Sequence, residues 1–82
     1  MVNIIIYGRP NCKKCVAAKE HINGMGLQYD YKDIDAVLED RSDESLDLLS
    51  TLSYFNNEYP VIRVDDEYLN YPAGMKRLKE LL

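Results

Sequence analysis

The chain has 82 residues, 46% of them hydrophobic and 29% charged, and 14 acidic against 10 basic side chains leave a formal charge of -4. A chain this short is expected to form one domain over residues 1-82 with one core, and its acidic balance excludes a general nucleic-acid binder, which needs a clustered Lys/Arg surplus. No apolar run approaches the roughly 20 residues of a membrane span, and the start lacks the basic segment and cleavage site of a secretory leader, so the expected location is cytoplasmic.

Val2 to Tyr7 is a β-branched run ended by Gly8, the pattern of a strand buried on both faces. Pro10 and Asn11 signal a turn, with Asn11 or Cys12 as a helix cap. Cys15, Ala18, Ile22 and Met25 then recur at helical spacing until Gly24 and Gly26 stop the helix. Leu27, Tyr29 and Tyr31 alternate with Gln28, Asp30 and Lys32 in a second strand that reaches about Ile34, and Asp35 to Arg41 reads as an acidic connection.

Ser42, followed by Asp43 and Glu44, starts a second helix whose buried stripe is Leu48, Leu49, Leu52 and Phe55. Pro60 introduces a third strand, Val61 to Val64, and Asp65-Asp66 turns it into a fourth, Glu67 to Asn70. Pro72 and Ala73 open a last helix with Met75, Leu78 and Leu82 facing inward. The predicted order is β-α-β-α-β-β-α, an α/β class with a four-stranded mixed sheet flanked by three helices. Its β-α-β start requires parallel pairing through a right-handed crossover, and its closing hairpin is antiparallel.

Cys12-Lys13-Lys14-Cys15 carries the chemistry. A C-x-x-C beside a β-α-β pattern points to a thioredoxin-like redox motif. At the start of a helix Cys12 meets unsatisfied amide N–H groups and the positive end of the macrodipole, and Arg9, Lys13 and Lys14 add cations, surroundings that favour a thiolate. Cys12 is therefore the expected nucleophile. Cys15 begins the apolar stripe one turn on, so a more buried, protonated sulfur within disulfide reach is the expected resolving thiol. The consequence is thiol–disulfide exchange through a mixed disulfide.

Plainer readings compete with this one. A bridge spanning three positions restrains too little chain to be a staple, and zinc takes four ligands, usually from two such pairs. No second pair exists, and His21, the only histidine, reads as a solvated helix residue, so no metal site is predicted. Pro60 divides evenly between a simple strand start and a cis Tyr59-Pro60 bond beside the cysteines that leaves the Tyr59 backbone free to pair with an extended substrate.

The stretches "IIIYGRPNCKKCVAAK", "LQYDYKDID" and "YPVIRVDDEYLNY" together make the chain resemble a small bacterial or phage glutaredoxin over essentially its whole length. The resemblance implies a thioredoxin-like fold and a glutathione-dependent thiol–disulfide oxidoreductase. It implies protein or glutathione mixed disulfides as substrates, ribonucleotide reductase as a common client, no permanently bound cofactor and a monomer. By position it implies Cys12 as attacking and Cys15 as resolving cysteine, Arg9 near the glutathione glycine carboxylate, and Tyr59-Pro60 as the cis-proline pair. Pro60 thereby tips toward cis. Lys14 stands where the family carries a glutathione-contacting tyrosine, and Ala73-Gly74 where a Thr-Asp type pair meets the γ-glutamyl group. Amides opening the last helix are the remaining candidates for that carboxylate. Three alternatives stay open: a redoxin reduced by thioredoxin reductase, a dimer sharing an iron–sulfur cluster through Cys12, and a non-catalytic adaptor.

Overall fold

The computed structural model describes residues 3-82. Ile4–Gly8 forms β1, buried along its whole length; Val2 lies outside the described residues. β1 is central because its run of large apolar side chains has to be covered on both faces. Helix α1, Lys13–Gly24, follows a turn in which Asn11 takes a positive φ of 60°, a conformation asparagine tolerates better than most residues. Strand β2, Asp30–Asp33, pairs parallel with β1. β3, Val61–Val64, lies antiparallel on the other side of β1, and β4, Glu67–Leu69, closes the antiparallel hairpin. The order across the sheet is β2-β1-β3-β4. The predicted mixed sheet is therefore present.

Three departures concern helices. The stretch expected to be an acidic connection holds a short helix α2, Ile34–Glu39, so the described residues hold four helices. Asp33 caps it by accepting hydrogen bonds from the amides of Asp35 and Ala36, and Ile34 and Val37 are its buried anchors. Six residues are too few for a helix to form unaided, so tertiary burial of those two side chains decides its existence.

In α3, Asp43–Tyr54, Leu48 and Leu52 are buried but Leu49 is 56% exposed, contrary to the predicted stripe. The reason is Glu44. Its carboxylate turns toward the sheet to meet Tyr7 and Lys32, which centres the inward arc on Glu44, Ser45, Leu48, Leu52 and Phe55. At 100° per residue Leu49 falls just outside it. Leu82 is likewise exposed rather than inward, because the last helix, α4, Tyr71–Glu80, ends before it.

Each face of the sheet carries its own core. Ile4, Ile6, Ile62 and Val64 pack with Ala18 and Ile22 of α1 and with Met75 and Leu78 of α4. Ile5, Tyr7 and Val61 pack on the opposite side with Ile34 and Val37 of α2 and with Leu48 and Leu52 of α3. Alternation along the strands sends successive residues to opposite cores.

Gly74 of α4 sits tight against β3. A methyl group there would lie 2.7 Å from Ile62 Cδ1 and 2.8 Å from Ile62 Cβ. Ile62 is fully buried and its Cβ cannot rotate away. Helix propensity favours Gly74→Ala by about 1 kcal/mol, whereas overpacking costs about 1–3 kcal/mol. We expect packing to win, with a urea midpoint below that of the parent protein; an equal or higher midpoint would show that α4 can shift away from the sheet.

Candidate active site

The first turn of α1 organises the two cysteines. Cys12 is the N-cap, and its Sγ accepts a hydrogen bond from the Cys15 amide at 3.1 Å. Cysteine thus takes the place usually held by a serine or aspartate oxygen. The first turn contains no acid, and Lys13 and Lys14 follow directly. Cys12 is half-buried and opens onto a shallow depression shared with Asn11, Lys13 and Val16.

Cys15 differs sharply from Cys12. It is 1% exposed, and burial first, then contact with the Cys12 sulfur, pushes its thiol up to about 11; the Arg9 backbone and Lys19 act in the opposite direction. Both cysteines are free thiols. The sequence thus placed a half-buried and a buried sulfur correctly, one turn apart.

Tyr59-Pro60 is a cis peptide bond and Pro60 is fully buried at the start of β3. Beside it lies a mostly apolar groove of about 240 Å³ lined by Lys14 and Ala17 of α1, by Glu58, Tyr59 and Pro60, and by Asn70 and Tyr71 at the start of α4. Three of the predicted residues, Lys14, Tyr59 and Pro60, therefore come together in one groove.

The others do not line it. Arg9 pairs with Asp35 at 3.4 Å, and its guanidinium lies 5.2 Å from the centre of the Tyr59 ring. Gly74 is buried in the core below α4. The Ala73 amide is bonded to Asn70 Oδ1 at 3.0 Å, and the Gly74 amide to the Asn70 carbonyl at 2.7 Å. Pro72 has no N–H to offer. The amides expected to receive a carboxylate at the start of α4 are thus already capped from within the chain.

Asn70, Asp35 and Tyr31 were not read as site residues. Asn70 sits three positions before the Ala73 amide it caps, a spacing that carries a cap signal, but it looked like the last residue of a strand. Asp35 and Tyr31 reach the site only through tertiary contacts. Among the described residues no three His, Cys, Asp or Glu side chains converge as a metal site. No helix among them is long and apolar enough to cross a membrane.

The family model of glutaredoxins matches residues 4–69. The chain belongs to the glutaredoxin family. Its thioredoxin-like fold and Cys12-x-x-Cys15 pair are those of a glutaredoxin-type thiol oxidoreductase. Solved structures agree on the fold. The NrdH-redoxin of Escherichia coli, described as a glutaredoxin-like protein with a thioredoxin-like activity profile, is 24% identical with a TM-score of 0.66, covering 93% of each chain. Glutaredoxin 1 from Francisella tularensis is 18% identical at a TM-score of 0.63, covering 99% of this chain and 95% of that one. A buckwheat glutaredoxin in complex with glutathione is 11% identical at 0.65, covering 96% of this chain and 70% of the other. No curated protein sequence matches.

Proposed function

We propose that this glutaredoxin reduces protein disulfides by dithiol exchange. The observation that carries the reading is the contrast between a half-buried Cys12 that caps α1 and a buried, protonated Cys15 one turn later. Cys12 attacks a client disulfide from the side of Val16 and Lys13, and a mixed disulfide forms. Cys15 then displaces the client and closes the intramolecular bond. Tyr59, before the cis-proline, offers backbone to an extended client segment. Ribonucleotide reductase is among the expected clients, and the protein acts in the cytoplasm as a monomer without a bound cofactor.

Two electron donors are compatible with this chemistry. Glutathione is the one the family resemblance implies. Thioredoxin reductase is favoured by two features: Asn70 occupies the Ala73 and Gly74 amides at the start of α4, and Glu58 lines the groove, opposite in charge to its single cation. A free tripeptide carrying two carboxylates then finds Lys14 as the only cation lining the groove. A protein donor, by contrast, brings its own contact surface.

One assay decides between them: reduction of a model protein disulfide, driven by glutathione with its reductase and then by thioredoxin reductase. We expect faster turnover with thioredoxin reductase, and a gain of about fivefold with glutathione in Asn70→Gly, since a freed helix terminus is an anion site. Turnover with neither donor would overturn the oxidoreductase reading. Fast glutathione turnover in the parent protein, unchanged in Asn70→Gly, would restore glutathione as donor.

A further inference from the structure

The dithiol reading leaves one physical difficulty. Cys15 has to lose its proton to attack the mixed disulfide, yet it is the more deeply buried of the two sulfurs. An anion forming in such a place needs a hydrogen-bond donor aimed at it.

The Arg9 backbone already favours the anion, and Gly8, at the end of β1, shows where a side-chain donor stands. A methyl group on Gly8 would lie 2.8 Å from Cys15 Sγ and 2.8 Å from Tyr31 Oη, with Tyr31 Cε2 at 3.1 Å. The thiol and the phenol therefore both crowd the spot that a Gly8 side chain would fill. Tyr31 comes from β2, the strand paired with β1 in the register Ile6 to Tyr31. Its hydroxyl makes only a long hydrogen bond, 3.5 Å, to the Arg9 carbonyl. A bond of that length is readily given up for a better acceptor. Lys19 of α1 holds the ring, with Nζ 4.2 Å from its centre.

We propose that Tyr31 assists the resolving step: its O–H turns from the Arg9 carbonyl to the Cys15 sulfur as the thiolate forms, with Lys19 as a positioning residue behind the ring. The proposal rests on the dithiol reading above. Tyr31 suits the role because burial, and then the neighbouring Cys15, Asp33 and Cys12, raise its own ionisation above that of an ordinary phenol, so it stays a donor at neutral pH. It is also 38% exposed, which connects the site to solvent.

The step balances without further reagents. Cys15 gives its proton to water, its sulfur bonds to Cys12 Sγ, and the bond from Cys12 to the client sulfur breaks. The client leaves as a thiolate and takes a proton from water. The client is reduced by two electrons and the cysteine pair is oxidised by two.

An aromatic disulfide with a coloured leaving thiolate, 5,5′-dithiobis(2-nitrobenzoate), separates the two attacks. Cys12 releases the first equivalent and Cys15 the second. In Tyr31→Phe, which keeps the ring under Lys19, we expect an unchanged first phase and a second phase slowed about tenfold near neutral pH, the loss of one charge-assisted hydrogen bond. The pH midpoint of the second phase should rise. The groups facing Cys15 that this profile reports are Cys12 at the cap of α1, Lys19 of α1, the Arg9 backbone and Tyr31 from β2, with Asp33 acting through Tyr31. Lys19→Met should slow the second phase less. A second phase unaffected by Tyr31→Phe, or both phases slowed equally, overturns the proposal. Release of only one equivalent by the parent protein would sink the dithiol reading as well, so the two failures are distinguishable.

Discussion

Cys12→Ser is expected to reduce protein-disulfide turnover to the uncatalysed background, whereas Cys15→Ser is expected to trap the client on Cys12 as a lasting mixed disulfide. The asymmetry follows from where α1 puts the two sulfurs. Cys12 is the reachable one, its Sγ held by the Cys15 amide and followed directly by the two first-turn lysines. A serine hydroxyl keeps the cap but has no comparable nucleophile at neutral pH. Cys15 is buried and needs only intramolecular access, so its loss spares the first attack and removes the exit from the intermediate. Brief alkylation with iodoacetamide followed by peptide mapping is expected to label Cys12 and spare Cys15. Equal labelling would contradict the geometry. Full activity of Cys12→Ser in a biological assay would instead make the protein an adaptor that uses its thioredoxin-like fold for contact only.

The second large effect lies under the sheet, away from the cysteines. Tyr7 is fully buried, and its hydroxyl donates to Glu44 Oε2 at 2.6 Å. Lys32 Nζ donates to the same carboxylate at 2.8 and 3.1 Å, and Arg63 lies 3.8 Å from it. Glu44 thereby ties α3 to β1, β2 and β3 at once. Glu44→Ala leaves the Tyr7 hydroxyl without its acceptor, and we expect a loss of about 2 kcal/mol, or about 10 °C in Tm for a protein of this size.

The same carboxylate sets a pH dependence. Hydrogen bonds from Lys32 first and Tyr7 second hold Glu44 below the usual carboxylate value of 4.5. A depressed folded value means the unfolded chain binds a proton first as pH falls, so the contribution is complete above that usual value and disappears as pH drops through the lower folded one. Glu44→Gln keeps an acceptor for Tyr7 but loses the charge, so its Tm should fall less steeply between pH 6 and pH 3. The upper limit lies about 1.5 units above the usual value, where the contribution is complete, and the lower one about as far below it, where the contribution is being lost. Parallel acid profiles for Glu44→Gln and the parent protein would remove Glu44 from this role.

Local signals were legible wherever one element carried them whole. The all-apolar run of β1, the capped and periodic start of α1 and the Asp65-Asp66 turn of the last hairpin could be read because each depends on neighbours within a few residues. So could the pairing directions, since crossover handedness and a tight turn leave few topologies. The cysteine pair belongs to the same class: cap, cations and apolar stripe are consecutive, and their chemistry follows from position on one helix.

What failed to show in the sequence depends on partners distant along the chain. Helix α2 exists because Ile34 and Val37 find the second core, and no six-residue stretch announces that. Periodicity points Leu49 inward because it cannot tell that a charged Glu44 is pulled beneath α3 by Tyr7 and Lys32. Asn70 looked like a strand end until the helix behind it supplied an amide to cap. Tyr31 read as one of several alternating aromatics until β2 came to lie beside β1 and put its hydroxyl across Gly8 from Cys15.

The sequence by itself determined the sheet, its strand directions and which two sulfurs face each other, because backbone propensity, hydrophobic period and capping act over a turn or two. Only the tertiary structure decided which side chains occupy the amides of α4 and which phenol stands near the buried thiol. Burial and desolvation are properties of surfaces brought together from distant segments, and a linear string of residues does not state which surfaces meet.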